Sequence, residues 1–329
     1  MAARGSTPRR PGRVDGLPPC PHEPIAPARA SSVSLPRLHG SVVAAHGRRY
    51  RVELDEGPIL DCLTRGKRSE IACGDRVQVT RTAPDQGVVE AADPRSTLLY
   101  RSDPYRQKLI AANVTLIVLV VAPVPSYHDE LLNRCLVAAE HAGARALIVL
   151  NKTDLDTAAV RSSLAVYEAI GYPVVPLSAR YDVSALVPHL AGETSVLVGQ
   201  SGMGKSTLVN ALVPEAEAPT REVSEALDSG KHTTTHARMY RLDARSRIID
   251  SPGLQAFGLS HVPAAGLDHT FVELRPWIGR CRFANCRHLN EPGCAIADAV
   301  ASGRISTQRL AAYRAIRLEL SRQEASPLR

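Results

Sequence analysis

A glycine-rich segment that ends in a lysine and a serine carries the strongest chemical signal in the chain. Residues 199–206 read GQSGMGKS and fit the pattern G-x-x-x-x-G-K-[ST]. Glycines let backbone N–H groups turn inward around phosphate oxygens, the lysine can reach the terminal phosphates, and the serine hydroxyl can ligate Mg²⁺. A predicted strand at residues 194–198 precedes the segment and an apolar stretch at residues 207–213 follows it, so a helix N-terminus adds partial positive charge. We therefore predict a phosphate-binding loop formed by Gly199, Gln200, Ser201, Gly202, Met203, Gly204, Lys205, Ser206 and Thr207.

A second motif, NKTD at residues 151–154, follows a predicted strand at residues 146–150. Its aspartate can accept hydrogen bonds from N1–H and the exocyclic amine of guanine, a pair of donors that adenine does not offer. A chance match and a helix N-cap are the alternatives, but ligands of open α/β sheets bind beyond the carboxyl ends of strands, which favours base recognition. A Ser-Ala-Arg loop at residues 178–180 follows the next predicted strand and adds a backbone amide for the guanine oxygen. The predicted base contacts are Asn151, Lys152, Thr153, Asp154, Ser178 and Ala179.

Two segments further along the chain can sense the state of the nucleotide. Residues 247–253 read RIIDSPG and end a predicted strand in D-x-x-G, where Asp250 can hold Mg²⁺ through water and the Gly253 N–H can contact a γ-phosphate. Residues 230–235 read GKHTTT, and we assign Thr234 and Thr235 to the nucleotide and its metal shell. These elements are those of a GTPase, but the base motif precedes the phosphate loop. The order is a circular permutation of the usual one.

A cluster of cysteines and one histidine has the spacing of a metal site. Cys281, Cys286, His288 and Cys294 supply three thiolates and an imidazole, which is a complete tetrahedral set for structural Zn²⁺. Four protein ligands leave no open position for catalysis. Three buried thiols beside a surface histidine are the alternative, but the surrounding stretch is polar and would gain folding energy from a metal.

The pattern around these motifs divides the chain into four parts. Residues 1–35 contain seven prolines and five arginines and are predicted to be a disordered basic tail. Residues 36–95 show short alternating runs that predict a small β-barrel of the oligonucleotide-binding type. Residues 96–262 alternate strands and helices, which predicts a mostly parallel sheet in an α/β P-loop GTPase domain. Residues 263–329 hold the Cys/His cluster and close with a helix at residues 306–322, which predicts a zinc-binding α-helical domain.

Arginines are spread over the two outer domains and could contact RNA phosphates. An ordinary small barrel with solvated charges is the alternative for the first of them. The barrel residues in question are Arg48, Arg49, Arg51, Arg65, Lys67 and Arg68. Those of the C-terminal region are Arg280, Arg282, Arg287, Arg309, Arg314, Arg317 and Arg322. In the closing helix, the helical spacing of Leu310, Tyr313, Ile316 and Leu320 predicts a packing stripe.

Composition excludes several classes of protein. The 329 residues include 40 Lys and Arg against 33 Asp and Glu, a formal charge of +7 that fits a polyanionic partner such as nucleic acid. The longest apolar run, residues 114–124, is well short of the roughly 20 residues that span a bilayer, and no secretory signal opens the chain, so we expect a cytoplasmic protein that does not bind membranes. Seven cysteines do not make a disulfide framework, and an aromatic content of 4% argues against base-stacking platforms.

Taken together, the permuted order, the GKHTTT segment and the sequence CRFANCRHLNEPGC resemble the ribosome-small-subunit-dependent GTPase A family over about residues 36–322. The resemblance implies an oligonucleotide-binding barrel, a circularly permuted GTPase domain and a C-terminal zinc domain. It implies a monomeric late assembly factor of the bacterial small (30S) ribosomal subunit that binds rRNA and hydrolyses GTP to GDP and phosphate when the subunit stimulates it. The implied cofactors are GTP or GDP with Mg²⁺ and one structural Zn²⁺. The LNRC segment at residues 132–135 departs from the family, where an Asp and an aromatic residue are more usual.

The group that activates water is a separate question. Leu254 stands where many GTPases have a glutamine that orients the attacking water, so hydrolysis must use another group. His232 is our hypothesis for that group, beside Lys205, Asp250 and Gly253 in the catalytic set, and an exposed loop histidine is its alternative. Two other functions stay open: an RNA-binding zinc protein whose GTP pocket is hydrolytically idle, and a GTPase that acts on another RNA or on translation generally.

Overall fold

The computed structural model of the chain describes residues 37–65, 70–103, 106–216, 237–251 and 258–325. The predicted basic tail lies outside these ranges, as do Lys67 and Arg68 of the barrel. None of the described helices combines the length and the apolar character needed to cross a membrane.

The N-terminal part is a closed barrel of five strands, as predicted. Its strands are β1 (Arg37–His46), β2 (Arg49–Leu54), β3 (Ile59–Thr64), β4 (Arg76–Ala83) and β5 (Gln86–Ala92). They pair in the order β1-β2-β3-β5-β4, and β4 returns to β1 to close the barrel. Along β2, Tyr50, Val52 and Leu54 point into the barrel while Arg49 and Arg51 face outward, which is the alternation expected of a strand with one buried face.

An antiparallel hairpin that the sequence analysis did not predict follows the barrel. It consists of β6 (Leu98–Asp103) and β7 (Arg106–Ala112). Just before it, the Arg95 guanidinium binds both carboxylate oxygens of the fully buried Asp75 at 2.7 Å. This charged pair fixes the start of the hairpin against the entry to β4.

The middle of the chain is a doubly wound α/β sheet. Its parallel strands are β8 (Leu116–Val121), β9 (Arg145–Leu150), β10 (Val174–Pro176), β11 (Thr194–Val198) and β13 (Arg247–Asp250), and β12 (Arg238–Arg241) is antiparallel to β13. They pair in the order β10-β9-β8-β11-β13-β12. Every residue of β8 is buried, because helices cover both faces of a parallel sheet. The last strand, β12, lies beside β1, and Ala44 pairs with Arg238, so the barrel and the α/β sheet share one hydrogen-bonded sheet.

The described part of the chain holds six α-helices, and the helix predicted at residues 306–322 is the last of them. They are α1 (Asp129–Ala142), α2 (Ala158–Ala169), the short α3 (Val187–Leu190), α4 (Lys205–Leu212), α5 (Ala295–Ala301) and α6 (Thr307–Ala325). Residues 151–157 form the loop that follows β9, so α2 begins only at Ala158. The predicted stripe on α6 is confirmed, since Leu310, Tyr313, Ile316 and Leu320 are all buried.

Candidate functional site

The loop between β11 and α4 has the backbone that its glycines permit. Gly202 and Gly204 adopt φ angles of 81° and 89°, which favour glycine, and α4 begins at the next residue, Lys205. A Cβ atom on Gly204 would lie 2.3 Å from the side-chain nitrogen of Asn151. Glycine is therefore required at position 204 both for its backbone angle and for the close approach of the NKTD motif.

A partly buried lysine and a buried aspartate lie beside the phosphate loop. The Lys205 ammonium donates to the carbonyl oxygens of Gly199 and Gln200, both at 2.7 Å. Burial lowers the pKa of Lys205 and raises the pKa of Asp250, and the attraction between the two opposes both shifts. Asp250, at the end of β13, is 8% exposed. The pair could supply a cation for phosphate oxygens and a carboxylate for a metal shell.

Asn151 joins three loops at the carboxyl edge of the sheet. Its side-chain nitrogen donates to the carbonyl of Met203 at 2.8 Å, and its side-chain oxygen accepts from the backbone N–H of Ala179, also at 2.8 Å. The side chain is 2% exposed, so both bonds are shielded from water. The NKTD motif, the phosphate loop and the Ser-Ala loop are therefore neighbours, as the sequence analysis predicted from the strand ends.

Asp154 and Lys152 occupy the outer part of the same edge. The Ser178 hydroxyl donates to Asp154 at 2.6 Å, and this bond is the main reason why the pKa of Asp154 lies below its usual value. Lys152 adopts a left-handed backbone angle, with φ 61°, and its ammonium donates to the carbonyl of Val124 at 2.6 Å. An exposed carboxylate held ionised by a neighbouring hydroxyl is a suitable acceptor for two donors of a base.

One contact at this edge was missed by the sequence analysis. The backbone N–H of His128, just before α1, donates to the side-chain oxygen of Gln200 in the phosphate loop at 3.0 Å. The loop that carries His128 follows β8, which lies next to β11 in the sheet. No sequence motif marks His128. The contact could still have been predicted, because loops that follow adjacent parallel strands lie at the same edge of the sheet.

Four of the predicted nucleotide residues lie outside the part of the chain that the structure describes: His232, Gly253, Thr234 and Thr235. The segment with His232, Thr234 and Thr235 comes before β12 in the chain, and Gly253 comes after β13 and Ser251.

The Cys/His cluster forms as the sequence spacing predicts. The ligand atoms of Cys281, Cys286, His288 and Cys294 all lie within 4.8 Å of one another. The Nδ1 atom of His288 is 3.5 Å from the sulfurs of Cys281 and Cys294, and these two sulfurs are 4.0 Å apart. Tetrahedral Zn²⁺ with Zn–S bonds of about 2.3 Å separates its sulfurs by about 3.8 Å, so the residues fit zinc.

Two acidic residues around the cluster were not predicted. Asp268 Oδ2 lies 3.6 Å from His288 Nε2, the ring nitrogen that faces away from the cysteines. Glu291 accepts from the backbone N–H groups of Arg287, Leu289 and Asn290 at 2.9 to 3.2 Å. Asp268 is placed to orient the imidazole ligand, and Glu291 shapes the turn that carries it. Asp268 is 20 residues from His288 in sequence, so no local spacing could reveal it.

Asp268→Asn should weaken zinc binding by about 10- to 100-fold, because the imidazole loses the carboxylate that fixes its tautomer and orientation. Competition with a chromogenic chelator measures the affinity directly. Glu168→Gln, which neutralises an exposed acid on α2, is the matched control and should bind zinc as the parent does. Equal zinc affinity of the Asp268→Asn protein and the parent would contradict the role given to Asp268.

One arginine assigned to RNA phosphates is buried instead. Arg309 is 1% exposed, its Nε lies 2.5 Å from Glu273, and its guanidinium packs over the rings of Tyr167 and Phe271. It also binds Asn133 of α1. The prediction for Arg309 was therefore wrong: a helix with a buried stripe places this arginine next to the stripe, and a charge there is paired rather than solvated.

Two further arginines of α6 have partners within the fold. Arg314 donates to the carbonyl of His288 at 3.1 Å, and Arg317 donates to the carbonyl of Ala264. These bonds tie α6 to the metal cluster and to the segment after β13. By contrast, Arg280, Arg282 and Arg287 are exposed near the cluster, and Arg48, Arg49, Arg51 and Arg65 are exposed on or beside the barrel.

Comparison with known proteins agrees with this geometry. The sequence model of the RsgA GTPase family matches residues 92–260. The chain is 54% identical over 284 residues to the small ribosomal subunit biogenesis GTPase RsgA of Nitrosospira multiformis, covering 86% of this chain and 91% of that protein. It is 51% identical over 281 residues to the protein of the same name from Nitrosomonas europaea, covering 84% and 90% of the two chains.

Two solved structures share the fold. YjeQ from Thermotoga maritima matches with a TM-score of 0.68 and 30% identity, over 87% of this chain and 99% of that one. YloQ, described as a circularly permuted GTPase, matches with a TM-score of 0.65 and 25% identity, over 89% and 97%. The permuted order predicted from the motifs is thereby confirmed. The chain belongs to the RsgA GTPase family, and it is a circularly permuted GTP hydrolase.

Proposed function

We propose that this protein binds the small ribosomal subunit and its rRNA and hydrolyses GTP in late maturation of that subunit. The relatives that support this carry the name small ribosomal subunit biogenesis GTPase. Nucleotide binding is supported above all by the position of Asn151. Its buried side chain forms hydrogen bonds with both the phosphate loop and the Ser-Ala loop. This arrangement supports a single site in which the same chain would bind a guanine base and a triphosphate.

The proposed roles follow from the chemistry of each side chain. Asp154 and the Ala179 N–H recognise guanine. Ser178 and the first three residues of the NKTD motif position these two groups. The backbone N–H groups of residues 199–207 and the Lys205 ammonium bind phosphates. Ser206, Asp250 and one of Thr234 and Thr235 hold Mg²⁺, which supplies positive charge to the phosphate oxygens when bound. The Gly253 N–H contacts the γ-phosphate.

The proposed division of the chain keeps the predicted limits. Residues 36–95 form the barrel that contacts rRNA, residues 96–262 the GTPase domain, and residues 263–329 the zinc domain with one Zn²⁺, while residues 1–35 form a basic tail. Salt dependence of RNA binding tests the contribution of the exposed arginines. The protein is also proposed to be a monomer and to lie in the cytoplasm. Its mass in solution tests whether it is a monomer.

His232 is proposed to orient the attacking water, since Leu254 cannot. His232→Ala should lower subunit-stimulated hydrolysis by about 10²- to 10⁴-fold and leave GTP affinity unchanged. Single-turnover hydrolysis with saturating subunits measures this, and His189→Ala in α3 is the matched control. A His232→Ala protein that hydrolyses GTP at the full stimulated rate would remove the assignment.

Asp154 must be ionised to accept two guanine donors, so affinity for GDP is full above its pKa and is lost as pH falls through it. Ser178→Ala removes the hydrogen bond that lowers this pKa, so the loss should begin at a higher pH than in the parent. Titration with a fluorescent GDP from about pH 7 to about pH 2.5, which passes below the ordinary pKa of an aspartate, measures the shift. Ser184→Ala removes the equivalent bond to Asp182, outside the base site, and should not move the curve. Coincident curves for the Ser178→Ala protein and the parent would contradict the role of Ser178.

We propose that the bound nucleotide, GTP or GDP, controls the affinity of the protein for the small subunit. The GKHTTT and D-x-x-G segments lie shortly before the zinc domain in sequence, so a change in them could reach that domain directly. Helix α1 offers a second connection between the phosphate loop and α6. The loop before α1 contacts Gln200, and α1 itself contacts α6 through Asn133 and Arg309. GTP would favour one arrangement of these elements and GDP another. Equal affinity of the GDP and GTP-analogue forms for small subunits would defeat this part of the proposal.

The deciding experiment is GTP turnover by the purified protein, alone and with small or large ribosomal subunits. We expect a large stimulation by small subunits only. Stimulation by another RNA or by large subunits would point to a GTPase of translation generally. Unstimulated protein that binds GTP and contains one zinc per chain would favour the RNA-binding zinc protein with an idle pocket.

A further inference from the structure

A short exposed turn lies between the first two cysteines of the metal cluster. Residues 282–285 are all exposed, and they include Phe283, whose side chain belongs to the few large apolar groups on the described surface. Phe283 is 42% exposed. A single exposed apolar side chain is common on protein surfaces, so the case for binding rests on the turn that holds the ring and on the charges beside it.

The turn is held firmly in place. Its two ends are Cys281 and Cys286 of the cluster, and the Cys286 N–H donates to the Phe283 carbonyl at 3.2 Å. The Arg282 N–H donates to the carbonyl of Gly293 at 2.9 Å, which anchors the turn to the segment before Cys294. A ring presented on such a preorganised turn loses little conformational entropy on binding.

The charges beside the ring are positive. The Arg282 guanidinium lies 5.5 Å from the centre of the Phe283 ring, and the Arg280 guanidinium lies 5.8 Å from the centre of the Trp277 ring. Arg287 follows the second cysteine, and 62% of its side chain is exposed. One carboxylate, Glu291, lies 3.7 Å from the Arg287 Nε, and it also accepts three backbone N–H groups of the turn.

We propose that Phe283 stacks on an unpaired RNA base, while Arg280, Arg282 and Arg287 bind the phosphates on either side of it. This rests on the proposed function, since it names the kind of RNA that the zinc domain meets. An acidic peptide would use the guanidinium groups but leave the ring without a planar partner. A duplex keeps its bases stacked on one another, so only a loop, bulge or single strand offers a free base face.

Affinity for single-stranded and duplex RNA distinguishes stacking from charge. The probes are a labelled oligouridine of about 12 nucleotides and a labelled RNA duplex of about 12 base pairs, titrated by fluorescence anisotropy against the full-length, zinc-loaded protein. Phe283→Leu keeps an apolar side chain but removes the ring, and we expect about 5- to 150-fold weaker binding of the oligouridine with unchanged binding of the duplex. Phe283→Trp should bind the oligouridine at least as well as the parent.

The controls separate the ring from the fold. Leu318→Ala changes an exposed apolar residue on α6, 44% exposed, and should leave both affinities unchanged. Zinc content of one per chain in the Phe283→Leu protein shows that the cluster is intact. Parental affinity for oligouridine in the Phe283→Leu protein would overturn the proposal, as would equal weakening on duplex and single strand.

Failure here and failure of the proposed function have different signatures. If small subunits stimulate GTP hydrolysis but Phe283→Leu binds oligouridine as tightly as the parent does, only the stacking inference falls. If Phe283→Leu loses oligouridine binding as expected while small subunits do not stimulate hydrolysis, the stacking inference stands and the subunit assignment falls.

Discussion

Lys205→Ala should lower the maximal rate of GTP hydrolysis by about 10²- to 10³-fold, because the phosphate loop loses the ammonium proposed to neutralise charge on the terminal phosphates. The Lys205 ammonium is already directed into the loop, where it donates to the Gly199 and Gln200 carbonyls. Burial already raises the pKa of Asp250, and the loss of Lys205 removes the attraction that opposes this shift, so metal affinity should fall as well. Steady-state turnover with saturating GTP and small subunits measures the effect.

The matched comparison is Lys152→Ala, the same substitution in the base motif. Lys152 donates to the Val124 carbonyl and belongs to the proposed base site, so its loss should raise KM, while the loss of Lys205 should lower kcat. If both variants changed KM alone, Lys205 would be a binding residue without a special role in the transition state. Circular dichroism of each variant checks that its fold is retained.

Arg309→Met should destabilise the protein by about 3 to 5 kcal/mol, since it leaves Glu273 buried and unpaired. The Glu273 side chain is 4% exposed and its partner 1% exposed, so water cannot replace the guanidinium. Asn133 would lose its hydrogen bond to Arg309 as well, which loosens α1 from α6. Denaturant unfolding, followed at a wavelength that reports on Trp277, measures the change.

Two further variants test the physical reason. Arg309→Met combined with Glu273→Leu should recover much of the stability, because neither charge is then buried. Arg65→Met, which breaks the exposed pair with Glu90, should cost less than about 1 kcal/mol. A double variant no more stable than Arg309→Met alone would show that packing against Tyr167 and Phe271, rather than charge, dominates at this position.

What could be predicted from sequence was set by short-range patterns. The strand, loop and helix around the phosphate loop and the spacing of the cysteines are local, so the sequence was enough to predict the loop geometry and the metal cluster. Contacts between distant segments were missed. Asp268 reaches His288 and the His128 N–H reaches Gln200 only through the fold.

Arg309 shows a different limit. Its position next to a packing stripe was visible, but helical spacing does not tell whether the neighbouring surface offers a carboxylate. Glu273, which decides that Arg309 is buried, precedes it by 36 residues. The roles of Asn151 divide in the same way. Its place at the strand end was predictable, whereas its two hydrogen bonds depend on how closely Gly204 lets the phosphate loop approach.

The shared sheet also bears on solubility. A sheet that ends in an unpaired strand can recruit the same strand of a second molecule and aggregate. At one end, β12 is covered because β1 lies against it and the barrel then closes on itself. At the other, the outermost described strand is β10, which is only three residues long and ends in Pro176. Among the described strands of this sheet, the permuted domain therefore offers a neighbouring copy very little edge to extend.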